Sequence, residues 1–248
     1  MNLAIIGSGG REHALCYKLK QSEEVKKLFC IPGNAGTSKL AENIEEDILN
    51  FEGIYKIIIE KKIDFVIVGP EEPLVRGIVD FLKEKKVKVF GPSKFASQLE
   101  GSKAFMKNLC KANNIPTANY DIFENFQKAK DFIMKNKLPI VVKADGLAAG
   151  KGVSICSTRE EAEIKTKEII EGKFKSSKKV ILEEFIEGEE LSYFSVVDNN
   201  TFSFFGSAQD HKKVGEGDTG PNTGGMGAYS PANLLTKELE TKIKKKNN

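Results

Sequence analysis

Long apolar runs, arginine, histidine and clustered cysteine are all scarce in this 248-residue chain. The longest purely apolar stretches are strand-sized, such as Phe65–Val68, too short for a membrane-spanning helix of about 20 residues. Met1 leads into Leu3 to Ile6 and then Gly7, too short an apolar core for a signal peptide, so a cytoplasmic location is expected. Of the 38 basic residues only Arg11, Arg76 and Arg159 are arginine. Nucleic-acid surfaces favour arginine, whose planar fork matches phosphates and base edges. A net charge of +3 leaves little excess to attract nucleic acid or an anionic membrane, and neither is expected as a partner. The four cysteines (Cys16, Cys30, Cys110, Cys156) form no Cys-x-x-Cys pair, and His13 and His211 are the only histidines. Buried free thiols are expected rather than a zinc site or a disulfide framework. Against these absences stand 40% hydrophobic and 29% charged residues, enough for an ordinary packed core in one large or two small domains.

The first ninety residues alternate short apolar runs with segments of helical period. Leu3 to Ile6, the stretch within Val25 to Ile31, Asp64 to Val68 and Val87 to Phe90 read as strands, each stopped by glycine or proline. Helices are predicted after Gly10, over Ile54 to Glu60 and over Pro73 to Glu84. This alternation predicts a parallel sheet with crossover helices, whose ligands bind at the carboxyl ends of the strands. Those ends carry Gly7 to Gly10, Pro32 to Gly36, Gly69 to Glu72 and Gly91 to Ser93. The first turn departs from the dinucleotide fingerprint G-x-G-x-x-G, because Glu12 stands at the third glycine position. A glycine loop that opens a helix still offers backbone N–H groups to a phosphate, with Arg11 adding charge; the alternative is a purely structural turn. Glu71 and Glu72, between two prolines, are either a solvated turn or a rigid carboxylate aimed into the cleft at sugar hydroxyls.

Beyond residue 92 the pattern changes. A long helix is predicted from Ser93 to about Asn114, with Lys103 inside it, and another over Phe126 to Lys135. Ile140 to Val142 reads as a strand. It is followed by Lys143-Ala144-Asp145-Gly146-Leu147-Ala148-Ala149-Gly150-Lys151-Gly152-Val153. This is not the G-x-x-x-x-G-K-[ST] loop, since residue 152 is glycine. Small residues let such a backbone close over a phosphate while Lys143 and Lys151 supply charge; a plain hairpin is the alternative. Thr158 to Ile170 reads as a helix with an acidic start that suits its dipole. After the strand Val180 to Leu182, residues Glu183 to Glu190 are either a hinge able to hold a base and a ribose or an acidic turn. Leu191 to Val197 and Thr201 to Phe205 predict a hairpin, which makes the second domain α+β. Gln209 to Pro231, rich in glycine and in polar side chains, is expected to be a long functional loop.

Taken together these segments resemble the phosphoribosylamine–glycine ligase family of ATP-grasp enzymes. The matching stretches are Gly7 to Leu15, Pro32 to Gly36, Val68 to Leu74, Leu99 to Lys103, Lys143 to Val153 and Asp218 to Gly227. The resemblance implies a Rossmann-like parallel-sheet (pre-ATP-grasp) domain over residues 1–100 and an α+β ATP-grasp domain over residues 101–248, incomplete at its C-terminal end. It implies ATP-dependent ligation of glycine to 5-phosphoribosylamine through a glycyl phosphate. On the family pattern Lys103 and Lys143 are catalytic and hold ATP phosphates. Asp145, Gly146, Gly150, Lys151 and Gly152 belong to the loop that closes over them. Glu183, Phe185 and Ile186 line the adenine, and Glu190 takes the ribose. Asp218 and Asn222 are catalytic candidates, and Gly9, Gly10, Arg11, Glu71, Thr223 and Gly224 face the phosphoribosyl substrate.

The same resemblance implies that family members continue well beyond this chain. The ligands for Mg²⁺ or Mn²⁺ are expected in that continuation, and none is assigned here. The lysine-rich end, Lys244-Lys245-Lys246, suggests a frameshift in an adenine run or a gene-model break, and half an ATP-grasp core is expected to expose apolar sheet surface. A monomer is expected. The competing readings are a non-catalytic nucleotide- or phosphoribosyl-binding fragment, another ATP-grasp ligase, and a nicotinamide-dependent oxidoreductase, the last disfavoured by Glu12.

Overall fold

A computed structural model describes residues 1–148, 152–174, 177–198, 200–217 and 219–246. The chain forms two compact units. One comprises Met1–Asn108, Asp145–Ala148 and Phe174–Lys178; the other comprises Leu109–Ala144, Ala149–Lys173 and Lys179–Asn248.

In the first unit β1 (Asn2–Gly7), β2 (Lys27–Pro32), β3 (Glu42–Asn43), β4 (Phe65–Val68) and β5 (Val89–Phe90) build a parallel sheet in the order β3-β2-β1-β4-β5. Alternate residues serve opposite faces. Ala4 and Ile6, with Phe29, Ile31, Val66 and Val68, pack on α2 (Phe51–Glu60) and α4 (Ile78–Glu84). Leu3 and Ile5, with Leu28 and Cys30, pack on Cys16 of α1 (Gly10–Leu19). Burial on both faces is why these strands read as nearly unbroken apolar runs. The strand order reverses between β1 and β4, so Gly7 and Gly69, just past the paired ends Ile6 and Val68, flank the topological switch point.

Two predicted helices are each broken in the structure. In place of one helix over Pro73 to Glu84 there are α3 (Glu71–Arg76) and α4, separated by Gly77 at φ 96°. Only glycine enters that region without steric cost. In place of one helix from Ser93 to Asn114 there are α5 (Gln98–Gly101) and α6 (Lys103–Ala112), separated by Ser102 in an extended conformation. The strand expected over Val87 to Phe90 is confined to Val89–Phe90, and β3 had no sequence signal.

Four helices end alike, in the Schellman pattern. Ile63 N donates to Ile58 O and Lys62 N to Ile59 O at the end of α2; Val87 N donates to Leu82 O and Lys86 N to Lys83 O at the end of α4. The same pair of bonds closes α6 around Asn114 and α8 (Arg159–Ile170) around Gly172. All four pivot residues have positive φ, yet two of them are lysines.

In the second unit β6 (Tyr120–Phe123), β7 (Ile140–Ala144), β8 (Val153–Cys156) and β9 (Val180–Glu184) form an antiparallel sheet in the order β6-β9-β7-β8. Strand β6 was not predicted. Helix α7 (Phe126–Lys135) buries Ala129 and Ile133, and α8 buries Ala162 and Ile169. Helix α8 is opened by a capping box: Thr158 Oγ1 accepts from Glu161 N at 3.2 Å, and Glu161 Oε2 accepts from Thr158 N at 3.4 Å.

The predicted hairpin is present as β10 (Ser192–Val197) and the start of β11 (Phe202–Gly215). The stretch expected to be a long loop is instead mostly strand. Its first half extends β11 and its second half is β12 (Thr219–Tyr229), antiparallel to β11 with register shifts between His211 and Lys213 and between Lys213 and Gly215. Its many glycines hid the strands, because glycine carries no strand signal. Phe194, Val196, Val197, Phe202, Phe204 and Phe205 of this three-stranded sheet are exposed, Phe205 by 78%. Helix α9 (Lys237–Lys246) follows.

Candidate functional site

At the switch point of the first unit lies a cavity of about 310 Å³ lined by Gly7 to Glu12, Ile48, Pro70 and Glu71. Glu12 is 4% exposed and folds back into the glycine turn, where Oε2 accepts from Gly9 N at 2.6 Å. A Cβ at Gly7 would stand 2.7 Å from Glu12 Cδ, and one at Gly69 would overlap Glu12 Oε1. The glycines on either side of the switch point therefore make room for this carboxylate. The position that breaks the dinucleotide fingerprint thus has a task of its own: its carboxyl group fills part of the glycine turn. Arg11 lines the cavity, with Nη1 donating to Gly69 O at 2.6 Å and Nη2 3.0 Å from Glu71 Oε1. Glu71 opens α3, and its own backbone N–H, more than Arg11, holds its carboxyl below the ordinary value. Asn34 was not singled out by sequence. It ties the loop after β2 to the glycine turn, donating to Ser8 O at 2.9 Å while its Oδ1 accepts from Gly36 N and Thr37 N. The Asn-x-Gly-Thr spacing of such a turn was the available signal.

A second cluster in this unit surrounds the start of α6. Lys103 Nζ donates to Gly146 O at 2.9 Å. Asp145, 7% exposed, accepts from Ser102 Oγ at 3.1 and 3.2 Å and from Ala104 N at 3.1 Å. Ser102 lies in the matching stretch Leu99 to Lys103 without a role of its own on the sequence pattern, although serine one position before a helix is a capping signal.

In the second unit Lys143, on β7, lies 3.0 Å from Glu183 Oε2 on β9. The register pairs Lys143 with Ile181 and Val141 with Glu183, so the two side chains are diagonal neighbours on one face. Glu183 is buried, while Phe185 and Ile186 beyond it are exposed. Ala144 N donates to Gly152 O at 2.7 Å, which closes the base of the loop between β7 and β8. Gly150 and Lys151 of that loop, and Asp218, lie outside the described residues. Glu190 meets Lys212 Nζ at 2.5 Å, and Asp210 stands 3.5 Å from the same ammonium. This contact to Glu190 is the main cause of the raised pKa of Lys212. Asn222 pairs with Lys213 across β11 and β12. Thr223 donates through Oγ1 to Lys212 O at 2.9 Å and accepts from Gly225 N at 3.1 Å, so its hydroxyl secures the bulge; Gly224 beside it is exposed.

Among the described residues no group of three or more His, Cys, Asp or Glu side chains is placed to hold a metal ion. No described helix is long and apolar enough to cross a membrane.

Comparison with known proteins brings both units into one family. Residues 1–100 match the phosphoribosylglycinamide synthetase N domain, and residues 101–247 match the ATP-grasp (A) domain of the same enzyme. The phosphoribosylamine–glycine ligase of Mesorhizobium japonicum is 51% identical over 240 residues, which cover 96% of this chain and 56% of that protein. The Brucella melitensis enzyme of the same name is 50% identical over the same shares of both proteins. The crystal structure of the Thermotoga maritima phosphoribosylamine–glycine ligase matches with a TM-score of 0.83 at 34% identity, covering 99% of this chain and 59% of that one. The chain therefore spans a little over half the length of the relatives it matches.

Proposed function

Because this chain belongs to the phosphoribosylglycinamide synthetase family, we propose that it serves the ATP-dependent joining of glycine to 5-phosphoribosylamine, as a cytoplasmic enzyme of purine synthesis. A carboxylate is a poor acyl donor. One oxygen of the glycine carboxylate takes the γ-phosphoryl group of ATP, and ADP leaves. The phosphoribosylamine nitrogen then attacks the carbonyl carbon of the glycyl phosphate. Inorganic phosphate departs, the nitrogen gives a proton to solvent, and glycinamide ribonucleotide remains. Phosphoryl transfer needs its dispersed negative charge to be held, and Lys103 and Lys143 supply cations for this. The observation that carries the reading is Lys143 at the end of β7, followed by a loop of small residues whose base is closed by the Ala144–Gly152 bond.

In this reading residues 1–100 are the substrate domain and residues 101–248 the ATP-grasp domain. The switch-point cavity, within the usual range for small-molecule sites, takes the phosphoribosyl group, with Gly9, Gly10, Arg11 and Glu71 at its wall. Asp145, Gly146, Gly150, Lys151 and Gly152 form the phosphate loop. Glu183, Phe185 and Ile186 serve the adenine and Glu190 the ribose. Asp218, Asn222, Thr223 and Gly224 lie beside the reacting amine. Mg²⁺ or Mn²⁺ accompanies the nucleotide, but the described residues provide no ligand set that fits it. The test is ADP release with ATP, divalent metal, glycine and 5-phosphoribosylamine, omitting one at a time. Release that requires both glycine and the amine supports the ligase. ATP binding without glycine-dependent release overturns it in favour of a nucleotide-binding role.

A further inference from the structure

Two successive residues at the start of α6 meet two successive residues after β7. Ser102 is bound by Asp145, and Lys103 is bound by Gly146. The first N–H groups of a helix have no partner within it. Here Ser102 Oγ accepts from Phe105 N at 3.1 Å, the ordinary serine cap, while Ala104 N is taken by Asp145 from 41 residues away. A carboxylate suits this end of the helix dipole. Ser102 Oγ also donates between both oxygens of Asp145, which holds Ser102 extended and sets the direction in which α6, and with it Lys103, begins.

We propose that Asp145 and Ser102 are positioning residues for Lys103, and that Asp145 serves nucleotide binding through this clamp rather than by touching the nucleotide. The inference rests on the reading that Lys103 holds ATP phosphates. Two donors converge on the buried Asp145 carboxylate, Ser102 Oγ and Ala104 N, one from the cap of α6 and one from the helix itself. Its remaining direction is set by the chain leaving β7, so it acts as a joint between the helix and the phosphate loop. The Lys103 ammonium is thereby presented at Gly146, the first glycine of that loop. A phosphate oxygen is a stronger partner for an ammonium than the Gly146 carbonyl, so the bond to Gly146 exchanges when nucleotide arrives.

The test compares affinities for adenosine, ADP and ATP, by calorimetric competition, in the wild type, S102A, S102T, D145A, K103M and the S102A/K103M double variant. In the wild type affinity rises with each added phosphate. S102A and D145A are expected to lose about tenfold in ATP affinity, the factor for one charge-assisted hydrogen bond, while adenosine affinity stays within about twofold. S102T retains the hydroxyl and is expected to restore ATP affinity. The double variant is expected to be no weaker than K103M alone, since both changes remove one function. A merely structural clamp would weaken adenosine and ATP equally, and S102A binding all three ligands like the wild type would equally overturn the proposal. If instead the wild type gains nothing from added phosphates and K103M binds as well as it does, the phosphate reading of Lys103 fails and the proposal falls with it. If D145A does not fold, S102A carries the same comparison with a smaller perturbation.

Discussion

Lys62 and Lys86 hold φ values of 51° and 61°, a conformation that costs an L-residue with a β-carbon roughly 1 kcal/mol more than glycine. Each is the pivot of a Schellman cap, where glycine is the usual residue. Lys62→Gly and Lys86→Gly are therefore each expected to raise stability by about 0.5–1 kcal/mol, read as a higher urea midpoint with unchanged slope. The two ends share the local pattern Glu-Lys-Lys followed by Ile or Val. That repeat was visible in the sequence, but lysine carries no positive-φ signal, so the caps were not. A second expectation concerns Glu71, whose carboxyl is held below 4.5 by its own backbone N–H and then by Arg11. A depressed carboxylate contributes stability that is present above the unfolded value and lost as pH falls through the folded one. In thermal melts from pH 7 to pH 3, Glu71→Gln is expected to lose less melting temperature below pH 4.5 than the wild type. The effect is small, because both partners of the pair are solvated.

At the level of elements, periodicity was informative where a segment is long and one-sided. Helix α7 and the strands β1, β2 and β4 are close to their predicted spans, because burial on defined faces dictates their residue pattern. The failures have identifiable causes. Gly77 sits inside a run of helical period and breaks it only because its backbone is left-handed. Ser102 breaks the next helix because Asp145, distant in sequence, captures it. Strands β11 and β12 carry glycine and polar residues where period-2 apolar residues would have revealed them. The break at Gly77 is subject to test. Gly77→Ala must either adopt a positive φ or straighten α3 into α4, and is expected to cost about 1–2 kcal/mol, measured by chemical denaturation. A neutral result would mean that the two helices fuse without penalty.

For the whole molecule, the residues expected to form the candidate site fall into local clusters: Arg11 with Glu71, Lys103 with Asp145 and Gly146, Lys143 with Glu183, and Glu190 with Lys212. Motif resemblance named these residues as candidates, but it could not indicate that several of their charges are already paired, because pairing depends on register and on sequence-distant contacts. The three-stranded sheet adds a different property. Its phenylalanines and valines lie open to solvent, and an apolar surface of that kind favours association. The isolated chain is expected to bind a hydrophobic dye and to elute progressively earlier in size exclusion as its concentration rises. Phe204→Ser with Phe205→Ser is expected to reduce both effects, and an unchanged elution profile would show that this face is not the cause.

Glu12 and Gly69 are far apart in the chain but share one space, and this gives the pair a joint genetic behaviour. Alanine at position 69 would collide with the Glu12 carboxylate and be harmful alone. A screen for second-site revertants of Gly69→Ala should therefore recover shortened residues at position 12. The Glu12→Ala, Gly69→Ala double variant should melt higher than the sum of the two single losses predicts. Position 69 is then held to glycine for as long as position 12 keeps its long side chain, so a change at 12 has to come first.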